Sequence, residues 1–162
     1  MLALDARIVL QDPGKREEDL PRLAIRPYPQ QYVSTWRLKD GSPIVIRPIR
    51  PKDEPKMVKF HELLSETSVH FRYFGLVKLE KRVSHDRLVR ICFNDYDREI
   101  AIVGIRKAPE TKEDEIIAVG RLIKLHDAND AEFAMVISDQ WPGHGLGTHF
   151  MRLLLDIAQR RR

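Results

Sequence analysis

The sequence contains a single cysteine, Cys92, in 162 residues. An internal disulfide is therefore excluded, and no Cys/His group has the spacing of a zinc site. The acids are scattered and the histidines unclustered, so no metal is expected. Long apolar runs are also missing, with nothing approaching the roughly 18–20 residues that a membrane helix needs. Met1-Leu2-Ala3-Leu4 runs straight into Asp5 and Arg7, which argues against a secretory signal. A lone thiol with neither leader nor span predicts a cytoplasmic protein with no membrane partner. Internal repeats and low-complexity tracts are absent.

A basic stripe, the footprint of a phosphate-backbone binder, is not present either. The formal charge is +4, and Arg160, Arg161 and Arg162 hold three of those charges at the end of the chain. Elsewhere acids and bases interleave, as in Lys52-Asp53-Glu54-Pro55-Lys56. No nucleic-acid partner is expected. With 43% hydrophobic and 32% charged residues, the chain has the composition of a folded domain with a solvated surface.

The first ten residues end in Arg7-Ile8-Val9-Leu10 and read as a strand, closed by turn chemistry at Pro13-Gly14. Proline-rich, aperiodic sequence follows. The expected organisation is a residual strand in residues 1–15, a linker over 16–35 and the main domain over 36–162. Within that domain, apolar segments around Asp40-Gly41 form a hairpin. Asp53 caps a helix carrying Met57, Val58, Phe60, Leu63 and Leu64. A second helix, opened at Ser84 or His85, places Leu88, Val89, Ile91 and Cys92 on its apolar side, so Cys92 is read as core. Three strands come next, over residues 99–106, 115–125 and 132–138. A last helix has the stripe Leu146, Phe150, Leu153, Leu154, Ile157 and Ala158. The order is that of an α+β fold.

The chemistry concentrates in Ser138-Asp139-Gln140-Trp141-Pro142-Gly143-His144-Gly145-Leu146-Gly147-Thr148. Three alternating glycines between a strand and a helix let backbone amides converge on an anion, and the helix dipole points to the same spot. Such a turn suits phosphate or pyrophosphate. The dinucleotide fingerprint fits poorly, because the turn lies late in the chain and no βαβ unit surrounds it. A Walker A loop is excluded, since no Gly-Lys-Ser/Thr follows.

Residues 131–147 resemble motif A of the GNAT-type N-acetyltransferases. Ile46-Arg47-Pro48-Ile49-Arg50-Pro51-Lys52-Asp53 is similar to the first strand and helix entry of those domains. Ser68-Val69-His70-Phe71-Arg72-Tyr73-Phe74-Gly75 and Asn94-Asp95-Tyr96-Asp97-Arg98-Glu99 resemble a narrower subgroup, the Pat-like protein lysine acetyltransferases. In that subgroup the domain is often fused to an ADP-forming acyl-CoA synthetase, and residues 2–8 resemble the last strand of its ATP-grasp part. The family's Gln/Arg position in motif A falls on Pro142, which has no N–H to donate.

The resemblance implies a mixed, mostly antiparallel sheet flanked by helices. Because the family pattern runs on past the motif A helix and this sequence stops at Arg162, the domain is expected to lack its C-terminal strands. The resemblance also implies acetyl-CoA as co-substrate and an amine acceptor, a protein lysine such as those of acyl-CoA synthetases, with small amines still open. Glu132 stands at the family's catalytic glutamate, and partial burial is expected to raise its pKa. Met135, Val136 and Ile137 would pair with the pantetheine arm through their backbone. Gly143, His144, Gly145, Leu146, Gly147 and Thr148 would hold the pyrophosphate. His70, Arg72 and Tyr73 either shape the acceptor side or pack a helix. Trp141 is read as packing, and Arg160 to Arg162 either reach the 3′-phosphate or form a solvated helix end. A non-catalytic acyl-CoA-binding regulatory domain of a ligase fusion is the alternative function. A homodimer is expected from exposure of Val136, Ile137 and Leu154.

Overall fold

Apolar residues on either side of Asp40-Gly41 form a hairpin, with β1 (Ser34–Arg37) antiparallel to β2 (Pro43–Pro48) and Trp36 opposite Ile44. The structure is a computed structural model and describes residues 13–14, 27–125 and 130–160. The strand expected over residues 1–10 and most of the expected linker lie outside the described residues. The end of that linker belongs to the domain. The Tyr28 hydroxyl donates to the Pro48 carbonyl at 2.8 Å, the Arg50 guanidinium lies 4.6 Å from the Tyr28 ring, and Gln30–Tyr32 forms a 3₁₀ turn before β1.

Four helices follow β2: α1 (Glu54–Glu62), α2 (Glu66–Tyr73), α3 (Leu79–Arg82) and α4 (His85–Cys92). Strands β3 (Glu99–Lys107), β4 (Asp114–Lys124) and β5 (Ala131–Ile137) precede α5 (Leu146–Arg160). The sheet order is β1-β2-β3-β4-β5, and every pair among the described strands is antiparallel. Strands β3 and β4 read as nearly continuous apolar runs because both of their faces are covered. Ile100, Ile102 and Leu122 point towards Phe150, Leu154 and Ile157 of α5. Ala101, Val103 and Val119 point towards Met57, Phe60, Val69, Leu88 and Cys92 of the other helices.

Two glycines set how closely α5 approaches. A Cβ on Gly104 would lie 3.1 Å from Phe150 Cζ, and one on Gly120 would lie 3.1 Å from Leu154 Cδ1. Leu154 is thus buried, and Val136 and Ile137 pack against the two cores. Of the three side chains whose exposure was expected to favour a homodimer, Leu154 is buried and the other two are partly buried, Val136 under α1 to α4 and Ile137 under α5. Burial also pushes the Cys92 thiol up to about 12, in keeping with a core residue. Beyond Gly104 the register shifts from Ala118 to Ile116, leaving Ile117 as the extra residue of a bulge. The Ile117 carbonyl accepts from the Ser138 amide at 2.8 Å, at the start of the glycine turn.

A buried ion pair anchors the entry to α1. Arg47 donates to both oxygens of Asp53 at 2.7 and 2.8 Å, and the Arg50 amide donates to Asp53 Oδ2 at 2.8 Å. Burial pushes the Asp53 carboxyl up, but these donors outweigh it and hold the group below its ordinary value.

His61 is 2% exposed, and neither ring nitrogen meets a hydrogen-bond partner among the described residues. Burial, with Arg82, Arg87 and Arg72 nearby, lowers its pKa from 6.5 to about 4. A histidine held neutral in the fold stabilises fully above the unfolded value and loses that contribution as pH falls through the window from 6.5 to about 4. On the order of 3 kcal/mol is expected to disappear across it. Urea unfolding at pH 7 and pH 4.5 checks this: the wild type should weaken between the two far more than His61→Leu. An equal loss in both proteins would refute it.

Candidate functional site

The strand-to-helix turn is built in three steps. Bonded to the bulge through Ser138, the chain turns back on itself: the Trp141 amide donates to the Ser138 carbonyl at 3.0 Å, and the Gln140 amide reaches Ser138 Oγ at 3.4 Å. Asp139 then ties the turn to α2. Its Oδ2 accepts from the Ser65 amide at 2.7 Å, and its Oδ1 accepts from the Ser65 and Ser68 hydroxyls at 3.0 and 2.6 Å. Burial raises the Asp139 carboxyl, yet these bonds leave it below the ordinary value. Ser65 also caps α2 by accepting from the Ser68 amide at 3.1 Å.

Gly143 (φ 73°) and Gly145 (φ 78°) are both left-handed, a conformation that glycine adopts without penalty. The Gly145 carbonyl accepts from the His149 amide at 3.1 Å, opening α5. An open cleft of about 510 Å³ results, lined by Lys39, residues 137–139 and residues 141–148. Lys39 arrives from the β1–β2 hairpin, and a Cβ on Gly145 would lie 3.8 Å from Lys39 Cε and 3.7 Å from Trp36 Cη2. Trp36 in turn stacks on His149, with centroids 4.5 Å apart and planes at 8°.

Trp141 packs as expected. Arg106 lies 4.2 Å from its ring and His144 meets it edge-on at 5.5 Å. Trp141 Nε1 and His144 Nδ1 are both buried without a partner among the described residues. Asp139, the one acid lining the cleft, has both oxygens occupied. The cleft therefore offers backbone amides, the positive end of a 15-residue helix and a lysine. Such a donor set fits an anion of phosphate type.

Gly143, His144, Gly145, Leu146, Gly147, Thr148 and Ile137 thus come together. The Leu146 side chain is buried, so that residue contributes its backbone only. Met135 and Val136 send their side chains into opposite cores, and β5 forms an edge of the sheet among the described strands. Glu132 shares the Val136 face, roughly 17 Å along the strand from Ile137. It is exposed, contrary to the partial burial expected, because it is the second residue of an edge strand. Arg160 pairs with Asp156 at 3.1 Å in the last turn of α5, a helix length away from the cleft, and Arg161 and Arg162 lie outside the described residues. Lys39 and the Asp139 clasp escaped the sequence reading, since neither carries a local signal for contacts 71 or more residues away.

Known proteins resemble this chain in sequence and in fold. No family model matches the chain. The acetyltransferase PA5475 of Pseudomonas aeruginosa is 32% identical over 123 residues, which are 76% of this chain and 63% of that protein. The chain thus spans less than two thirds of that relative's length. The crystal structure of the GNAT domain of S. lividans PAT matches with a TM-score of 0.71 at 23% identity, covering 83% of this chain and 76% of that one. The chain has the GNAT fold. Strand β5, the glycine turn and α5 are the segment that resembles motif A in sequence, and α1 to α4 lie on the opposite face of the sheet from α5.

Proposed function

We propose that this chain, which has the GNAT fold, is an N-acetyltransferase that moves the acetyl group of acetyl-CoA onto an amine, with a protein lysine as acceptor. The observation that carries the reading is the anion cleft at the end of a sheet-edge strand. There Gly143, Gly145, the first residues of α5 and Lys39 border one point of the surface. That point suits a pyrophosphate, and the free edge of β5 suits an extended amide-bearing arm, held through the backbone of Met135, Val136 and Ile137. The same backbone donors polarise a carbonyl placed against them. Acetyl-CoA supplies an activated acyl thioester.

The acceptor needs a neutral nitrogen, whereas a lysine ammonium has a pKa of about 10.4. Glu132 is the group proposed to take the proton, directly or through one water. Its exposure at the mouth of the strand leaves it accessible to an incoming side chain.

Amine-dependent thiol release from acetyl-CoA tests the function. Thiol and acetylated lysine peptide should form in equal amounts. Tight acetyl-CoA binding with no release in the presence of lysine peptides or polyamines would favour a regulatory acyl-CoA-binding domain instead. Lys39→Ala is expected to raise the Kd for CoA roughly tenfold, since a hydrogen bond to a charged group contributes about 1.5–3 kcal/mol. Calorimetry at low and high salt checks this, and the effect should shrink as salt rises because Lys39 is exposed.

A further inference from the structure

On the α1–α4 side of the sheet, near Glu132, three half-buried arginines gather, and two of them have no acid partner among the described residues. Arg72 of α2 and Arg87 of α4 each place the guanidinium 5.1 Å from the Tyr73 ring centroid. Neither guanidinium forms an ion pair or a hydrogen bond among the described residues. Arg121 of β4 pairs with Glu99 through one nitrogen, yet its Nε and that of Arg87 are buried without an acceptor. Arg121 stands opposite Ala134 in register, and Glu132 lies two residues along β5 on that same face. The Arg72 guanidinium is lowered by burial and by its like-charged neighbours Arg121 and Arg87, while Tyr73 and Glu132 act the other way. His61, buried and unpartnered, lies within electrostatic reach of Arg72, Arg82 and Arg87. Arg82 is already occupied, donating to the Val77 and His61 carbonyls.

Buried guanidinium donors left without acceptors are unfavourable unless a ligand completes them, and planar guanidinium groups match carboxylates. We infer that Arg72, Arg87 and Arg121 form a subsite for a carboxylate carried by the amine acceptor, beside the group that would deprotonate it. The inference rests on the proposed placement of the acceptor at the Glu132 end of β5. An acidic side chain flanking an acceptor lysine supplies this chemistry, and so does the carboxylate of a free amino acid.

The test compares two fluorescent lysine peptides, one flanked by glutamates and one by glutamines, binding to the whole chain at low salt. The glutamate peptide should bind at least tenfold tighter. Arg72→Gln combined with Arg87→Gln should reduce that ratio to below about threefold, and Arg87→Lys should restore part of it. Acetyl-CoA titration of each variant confirms an intact fold. Equal affinity of the two peptides in the wild type, or a preference surviving the double variant, would overturn the subsite. Competition by 6-aminohexanoate as strong as by the glutamate peptide supports it and assigns the carboxylate to a free amino acid. Competition by the peptide alone supports it and assigns the carboxylate to a flanking side chain. A glutamate preference in binding, with acetyl transfer to neither peptide, would uphold the subsite and overturn the acetyltransferase reading.

Discussion

Glu132→Gln is expected to lower kcat for acetyl transfer by 10²- to 10⁴-fold, the usual contribution of a positioned general base. The substitution keeps the shape of the side chain and removes its basicity. Because Glu132 is exposed at the start of an edge strand, folding should be unaffected. The Kd for acetyl-CoA should also stay within about twofold, since the glycine turn lies at the other end of β5. Steady-state kinetics with a lysine peptide, beside calorimetry with CoA, separates these effects. Turnover within about threefold of the wild type would remove Glu132 from the reaction. In that event the acceptor would have to lose its proton to water or to another group near Arg72.

Arg47→Ala is expected to destabilise the fold by roughly 3–5 kcal/mol, the usual result of leaving a buried charge without its partner. Asp53 is 0% exposed, and of its close donors only the Arg50 amide and Lys56, whose Nζ lies 3.7 Å away, would remain. For a domain of this size the urea midpoint should fall by more than about 1 M. Pairing the change with Asp53→Leu should recover much of the loss, because an apolar pair of similar volume avoids the orphaned carboxylate. A single substitution costing under about 1 kcal/mol would show that water reaches Asp53. Because its native pKa is depressed, Asp53 contributes above its unfolded value of 3.8, and that contribution fades as pH falls through its native pKa.

The legible parts of this molecule are those whose signal is local and strong. Strands β3 and β4 announce themselves as runs of Ile, Val and Ala, and α5 as a stripe from Leu146 to Ala158. The glycine turn is legible because left-handed backbone at Gly143 and Gly145 needs a residue without Cβ. Helix α2 is less so. It is eight residues long, and its start depends on Asp139, which holds Ser65 and Ser68 from more than 70 residues away. Lys39 belongs to a hairpin that reads correctly as a hairpin, but nothing in it says where the hairpin docks. The expected burial of Glu132 followed from its apolar neighbours, whereas its real exposure follows from being second in an edge strand. Arg72, Arg87 and Arg121 look like ordinary surface charges in sequence. Only the packing of α2 and α4 onto β4 and β5 makes them neighbours.

The seat of α5 has one more consequence. Phe150 and Leu154 rest where Gly104 and Gly120 present no side chain, so two absent methyl groups act as a spacer gauge for the whole helix. The first-turn amides ride on that helix while Lys39 rides on the sheet. The aperture between them is thus inherited from the floor of the core rather than from the glycine turn itself. Gly120→Ala would therefore be felt at the mouth of the cleft, through a rigid rod lifted by a few tenths of an ångström.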